Sequence, residues 1–125
     1  MLIPSCAEER PPSSFAQRPQ ANHRSLRKVP QSALAARAAQ RTPADPHLTD
    51  LYAHSCRPCH VNAASGAPLT ADRDAWRDRW KKGLPVLVAS AVQGFNGMPA
   101  GGQCARCTVA DYEALIRFMA DAENP

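Results

Sequence analysis

The string Cys56-Arg57-Pro58-Cys59-His60 lies near the middle of this 125-residue chain and decides how the rest of it is interpreted. Its two cysteines are three positions apart, so one helical turn presents both thiols on the same side. Thiols at this spacing can form thioethers with the two vinyl groups of one haem edge, and the imidazole that follows then faces the iron. The motif predicts one covalently attached haem c, held by Cys56 and Cys59, with His60 as an iron ligand.

A second pair of cysteines, Cys104 and Cys107, offers a competing interpretation. Four thiolates are the ligand set of a structural zinc site, and such a zinc-binding module would use Cys56, Cys59, Cys104 and Cys107. The two pairs are, however, much farther apart than the usual spacing of roughly 15–20 residues. A zinc site would also leave His60 without a role. The haem interpretation is therefore preferred, and zinc is kept as the alternative.

The chain changes character near residue 45. Residues 1–46 hold the whole net excess of four positive charges and 7 of the 12 prolines, but only Phe15 among the aromatic residues. A segment of this kind buries too little apolar surface to offset the entropy of ordering it. We expect 1–44 to be a disordered, basic, proline-rich tail or the remnant of a targeting segment, with at most a nascent helix over 32–39.

The remaining domain, 45–125, has helical apolar spacing throughout and no alternating strand pattern. The predicted helices cover about 45–55, 72–82 and 84–93, and a last one begins at Thr108. Four glycines and a proline keep 94–107 from forming a regular element, so something else must fix this loop. Candidates for the wall of an apolar pocket are Leu69, Trp76, Trp80, Leu87, Val88, Val92 and Phe95.

Further features follow the haem-binding motif in a fixed order. Over roughly 46–122 the chain carries Tyr52, the haem-binding string, Gly66-Ala67-Pro68, Trp76, Gly97-Met98-Pro99 with Gly101-Gly102, and the Cys104/Cys107 pair. In this order and spacing the chain resembles the class I cytochromes c, and within them the small bacterial cytochrome c-five group. The resemblance implies an all-α fold of four to five short helices wrapped around one haem. It also implies single-electron transfer, with no enzymatic activity.

The resemblance assigns roles to individual residues. Met98 would be the second axial ligand of the haem iron, and the Pro68 carbonyl would accept a hydrogen bond from His60. Cys104 and Cys107 would form a disulfide, which implies an oxidising compartment. Other possible ligands are His47, His54 and Met119.

One position departs from the family pattern. Leu48 stands where family members commonly have a glycine in the first helix, so we expect the crossing of the first and last helices to be wider or shifted. With both axial positions filled, no small-molecule substrate is expected. A haem sensor or enzyme with an open axial site is the remaining alternative.

The expected partners are redox proteins, such as a membrane-bound cytochrome complex or a terminal oxidase, and the chain itself is expected to be a monomer or weak dimer. Nucleic acid is not expected, because the basic excess is confined to the front of the chain. A mixed-charge helix face carries the candidate docking cluster Arg73, Arg77, Arg79, Lys81 and Lys82, for which a solvated surface is the preferred interpretation.

The location is inferred from the chemistry of haem attachment. No apolar run approaches the roughly 18 residues of a membrane span, and no secretory signal is visible. Haem is usually attached to paired cysteines outside the cytoplasm, so we expect a periplasmic protein, and a misassigned start site would explain the missing signal. Cys6 is either a stray thiol or the end of a lipoprotein signal.

Overall fold

The computed structural model describes residues 29–122 and shows a helical chain. The α-helices are α1 (Gln31–Ala39), α2 (Pro46–Leu51), α3 (Arg57–His60), α4 (Arg73–Trp80), α5 (Leu84–Gln93) and α6 (Val109–Met119). Two 3₁₀ turns, Ala63–Ser65 and Ala100–Gln103, lie between them. Over 29–122 the only strand-like feature is an isolated bridge between Phe95 and Met98. The predicted all-α class is confirmed.

Local sequence explains where most helices begin. The Asp45 side chain accepts a hydrogen bond from the His47 amide at 2.8 Å, and Pro46 occupies the first helical position of α2. At α6, the Thr108 hydroxyl accepts from the Asp111 amide at 3.1 Å and the Asp111 carboxylate accepts from the Thr108 amide at 2.9 Å. This reciprocal pair forms a capping box and fixes the first turn of α6.

The first predicted helix is longer than expected. Instead of ending near residue 55, the backbone continues from α2 through a π-helical segment, Tyr52–Cys56, into α3. Wider turns of this kind are rare and are found mostly at functional sites. One unbroken helical stretch therefore carries the whole of the Cys56–His60 motif.

Within 1–44, where a disordered tail with at most a nascent helix over 32–39 was expected, the described residues 29–44 include helix α1. Ala38 of α1 is fully buried, and the Arg57 guanidinium donates to the Ala39 carbonyl at 3.0 Å. Arg41 pairs with Asp121 at 3.0 Å. Alanine side chains are small enough for α1 to approach α3 closely, so the segment needs no large apolar residues to pack. Residues 1–28, including Cys6, lie outside the described residues.

The main core forms where α2 and its π-helical extension meet α6. Tyr52 and Phe118 contact edge to face with ring centroids 5.0 Å apart, and Leu51 and Leu115 are almost completely buried beside them. Leu48 packs half-buried against the same cluster, so the contact between the two helices accommodates a leucine where the family commonly has glycine. The expected widening of this crossing stays a prediction.

The segment between α3 and α4 is fixed to the core by hydrogen bonds. The Thr70 amide donates to the His60 carbonyl at 2.8 Å, and its hydroxyl lies 2.8 Å from the Tyr52 hydroxyl. The indole of Trp76 donates to the Leu69 carbonyl at 2.9 Å. Within 29–122, no helix has the length and apolar character that crossing a membrane requires.

A matched pair of alanine substitutions tests the packing of α1. Ala38→Leu forces a larger side chain into a fully buried position and should lower the free energy of unfolding by about 1–3 kcal/mol. Ala36→Leu, in the same helix but exposed, should change it by less than about 0.5 kcal/mol. Urea unfolding of both variants measures the difference, and equal effects would show that α1 does not pack as described.

Candidate haem site

A cleft that is partly open to solvent lies between α3, α5, α6 and the loop after α5. The five residues that the sequence assigned to haem binding all line it, namely Cys56, Cys59, His60, Pro68 and Met98. The fold thus brings Met98 into the same cleft as the segment 56–68, which is far from it in the sequence.

His60 is held in one orientation. Its Nδ1 lies 2.6 Å from the Pro68 carbonyl, which can only accept, so the proton must be on Nδ1. The residue is 7% exposed, and burial lowers the pKa of its imidazole, with the nearby Arg79 charge acting in the same direction and the Pro68 bond opposing both. A neutral ring with Nδ1 protonated leaves Nε2 as a free electron-pair donor, which is the form that binds a metal.

Cys56 presents a free thiol to the cleft. Burial raises the pKa of this thiol to about 11, and a hydrogen bond between the thiol and the Ser55 hydroxyl opposes this rise more weakly. The side chain is therefore an uncharged thiol at neutral pH. Ser55 itself is buried, and its hydroxyl donates back to the Leu51 carbonyl one turn earlier.

Met98 lies in a tight turn of the loop after α5. The Phe95 amide donates to the Met98 carbonyl at 3.1 Å, and the Met98 amide donates to the Phe95 carbonyl at 2.8 Å. The side-chain end of Met98 is close to Gly102, where a Cβ atom would come within 2.8 Å of its Cε. The thioether is thus confined between the turn and the glycine pair of the loop.

The rival ligand residues differ in position. His47 lies 3.0 Å from Asp111 through its Nε2, and His54 lies 2.8 Å from the Asp50 carbonyl through its Nδ1; both are exposed and neither lines the cleft. Met119 is buried and does line it. Among the three, only Met119 could reach a group bound in the cleft.

The structure contradicts the zinc alternative. Cys104 and Cys107 are joined in a disulfide, with Cα atoms 5.4 Å apart, and neither lines the cleft with Cys56 and Cys59. Bonded sulfurs cannot supply thiolates, so the four-thiolate set does not exist. Over 29–122, no three His, Cys, Asp or Glu side chains are grouped to hold a metal ion.

The apolar wall was predicted only in part. Trp76, Leu87 and Phe95 line the cleft, whereas Leu69, Trp80, Val88 and Val92 do not. Leu69 lies behind the wall, where its carbonyl receives the Trp76 indole, and Val92 points to solvent. Lining residues that were not predicted from the sequence as part of the site include Arg79, Tyr112, Leu115 and Ile116. The last three share one face of α6 with Met119, which was predicted only as a possible ligand, and this helical spacing is the signal that could have identified them.

The basic cluster on α4 divides into two kinds of residue. Arg73 pairs with Asp121 at 2.8 Å, Arg77 pairs with Asp74, and Lys81 pairs with Asp78 at 3.1 Å, as expected for a solvated face. Arg79 instead donates to the Ala75 carbonyl at 2.6 Å and lines the cleft. Lys82 also lines it and lies 5.4 Å from the centre of the Phe95 ring. The cleft therefore has apolar walls with two cations at its edge.

Comparison with known proteins identifies relatives of the compact domain. Residues 43–119 match the sequence model of the family described as cytochrome c oxidase, cbb3-type, subunit III. Cytochrome c5 of Ectopseudomonas mendocina is 36% identical over 72 residues, which cover 56% of this chain and 83% of that protein. Cytochrome c5 of Azotobacter vinelandii is 38% identical over 72 residues, covering 56% and 87%. Cytochrome c-555 of Chlorobaculum thiosulfatiphilum is 35% identical, covering 54% and 84%.

A solved structure is similar in fold. A chain from the crystal structure of an electron transfer complex of nitrite reductase with cytochrome c superposes with a TM-score of 0.56 at 31% sequence identity. The match covers 64% of this chain and 98% of that one. Helix α1 precedes the region matched by the family model.

Two glycines with the same backbone shape test how tightly the Met98 turn is packed. Gly83 and Gly94 have φ of +93° and +89°, so alanine should cost about 1–3 kcal/mol of folding stability at either position. A Cβ atom at Gly94 would also lie 3.1 Å from the Met98 carbonyl, whereas at Gly83 it would meet only the Pro85 ring at 3.8 Å. Gly94→Ala should therefore be the more destabilising by about 1–3 kcal/mol in urea unfolding. Equal losses of stability in the two variants would mean that the Met98 turn shifts to accommodate the added methyl group at no cost in free energy.

Proposed function

The chain belongs to the small class I c-type cytochromes, and from this membership we propose that it carries single electrons between respiratory proteins with His60 and Met98 as axial haem ligands. Members of the family hold haem c covalently and act as electron carriers. The observation that carries the proposal is the meeting of Cys56, Cys59, His60 and Met98 in one cleft. The iron of the bound haem supplies a one-electron Fe(III)/Fe(II) couple.

The residues of the cleft fit this cofactor. Its apolar walls suit a porphyrin, and the two cysteines of the motif lie on the helical stretch that also carries His60. Haem bears two carboxylates, and Arg79 and Lys82 are the cations of the cleft that can pair with them. The donor set combines an imidazole nitrogen with a thioether sulfur, a ligand pair that raises the reduction potential of haem iron.

Each ligand residue has a defined task in this proposal. Pro68 holds the imidazole of His60 through its carbonyl, so the ring turns Nε2 towards the cleft. Met98 would supply the second protein ligand of the iron and would keep water and small molecules away from it. With both positions filled by side chains, the protein changes oxidation state without binding a substrate, which distinguishes an electron carrier from a haem enzyme or sensor.

Partners and location are part of the proposal. The matched family is described as a subunit of a terminal oxidase, and the structural neighbour was solved in a complex with a nitrite reductase. A membrane-bound cytochrome complex or a terminal oxidase is accordingly the kind of partner we propose, with the chain acting as a monomer or weak dimer. The disulfide between Cys104 and Cys107 supports a periplasmic location, because such bonds persist in oxidising compartments.

Met98→Ala tests the axial ligation and, with it, the function. The full-length protein, produced with the haem-attachment machinery, should show the weak long-wavelength absorption band of a thioether on ferric iron, and Met98→Ala should abolish it. Its reduction potential should fall at the same time, because a weaker donor for Fe(II) replaces the thioether.

Met119→Leu provides the matched comparison, since Met119 is the only other methionine in 29–122 that lines the cleft. This variant should keep the band. Loss of the band in Met119→Leu but not in Met98→Ala would reassign the ligand. A wild-type protein that lacks the band and binds added ligands freely would contradict the electron carrier and favour a sensor or enzyme.

A further inference from the structure

Tyr112 lies in the first turn of α6 and connects that helix to the Met98 loop. Its hydroxyl is 2.9 Å from the Gly101 carbonyl and 3.1 Å from the Cys104 carbonyl. A phenol has a single O–H proton, so the two carbonyls share one donor in a three-centre arrangement. The ring itself lines the cleft. One side chain therefore contacts both the cofactor site and the backbone that follows Met98.

The backbone of the loop has a conformation that its surroundings must hold. Gly101, Gly102 and Gln103 all have positive φ, at +75°, +58° and +62°. Two short-range bonds, from the Gly102 amide to Pro99 and from the Cys104 amide to Gly101, close the turn but do not attach it to a helix. An arrangement with several left-handed residues persists only where its surroundings hold it.

Two local links precede Tyr112 where the loop joins α6. The disulfide between Cys104 and Cys107 closes the chain just before α6, and the capping box of Thr108 and Asp111 fixes the first turn of that helix. Tyr112 is the next residue after this box. The hydrogen bond from its hydroxyl therefore fixes the Gly101 carbonyl relative to α6. Gly101 precedes Gly102, where an added Cβ atom would meet the Met98 methyl group.

We propose that Tyr112 is a positioning residue for Met98: its hydroxyl holds 101–104 against α6 and so keeps the thioether in place to bind iron. This inference rests on the proposed His60/Met98 ligation. Without the hydroxyl, the two carbonyls turn to water, the loop opens more often, and Met98 leaves the iron for a larger fraction of the time.

Binding of imidazole to the ferric protein measures this opening, since imidazole must displace the thioether. In full-length haem-loaded Tyr112→Phe, we expect imidazole to bind about 3- to 10-fold more tightly and faster than in wild type, as follows from losing one hydrogen bond. The weak thioether band should also disappear at a lower pH during alkaline titration.

Tyr52→Phe is the matched control, because Tyr52 is the only other tyrosine of the chain. Its hydroxyl also makes one hydrogen bond, 2.8 Å from that of Thr70, but it is buried away from the cleft lining. This variant should lose folding stability while its imidazole affinity stays within about 2-fold of wild type. Equal increases in both variants would indicate general loosening and overturn the proposal.

Hydrogen exchange gives a second readout that does not depend on ligand binding. The amides of Gly102 and Cys104 should exchange about 3- to 10-fold faster in Tyr112→Phe, while that of Thr70 should be unchanged. Wild-type imidazole affinity together with unchanged exchange in Tyr112→Phe would overturn the role of Tyr112 alone. If Met98→Ala and wild type bound imidazole equally, the failure would instead lie with the proposed ligation.

Discussion

The hydrogen bond from His60 Nδ1 to the Pro68 carbonyl is the constraint on which the site depends. It fixes which ring nitrogen faces the cleft and requires the chain to turn back on itself within eight residues. The segment that follows this turn is attached to the core, because Thr70 hydrogen-bonds to the His60 carbonyl and to the Tyr52 hydroxyl. The histidine side of the cleft is therefore continuous with the packing of α2 against α6.

The methionine side is built differently. Met98 belongs to a glycine-rich loop whose attachment comes from a tight turn, a four-residue disulfide and the hydroxyl of Tyr112. Closing a loop this short with a disulfide contributes about 2 kcal/mol by the chain-entropy estimate. His60 is therefore held rigidly, whereas Met98 is held by a few separate contacts. Changes in the loop that carries Met98 should alter the ligation of the haem iron more than changes around His60.

Local sequence was enough to predict the approximate extent of helix α5 and the capped starts of α2, α4 and α6, because proline, aspartate and threonine at these positions act within one turn. It indicated only a nascent helix over 32–39 for α1, whose small side chains give a weak local signal and pack against α3 and the 3₁₀ turn that follows it. Arg79 was grouped with a solvated face for a similar reason. Charge alternation along α4 does not reveal which of its cations points into a cleft formed by other segments.

The mass of the denatured, full-length protein tests the central claim most directly, when the chain is produced with the haem-attachment machinery. A thioether link survives denaturation, so the account predicts the mass of the polypeptide plus one haem. Cys56→Ser/Cys59→Ser should return the mass of the polypeptide alone, while Cys104→Ser/Cys107→Ser should keep the added haem. A wild-type chain with no added mass, or one that loses its haem on denaturation, would contradict covalent attachment through Cys56 and Cys59.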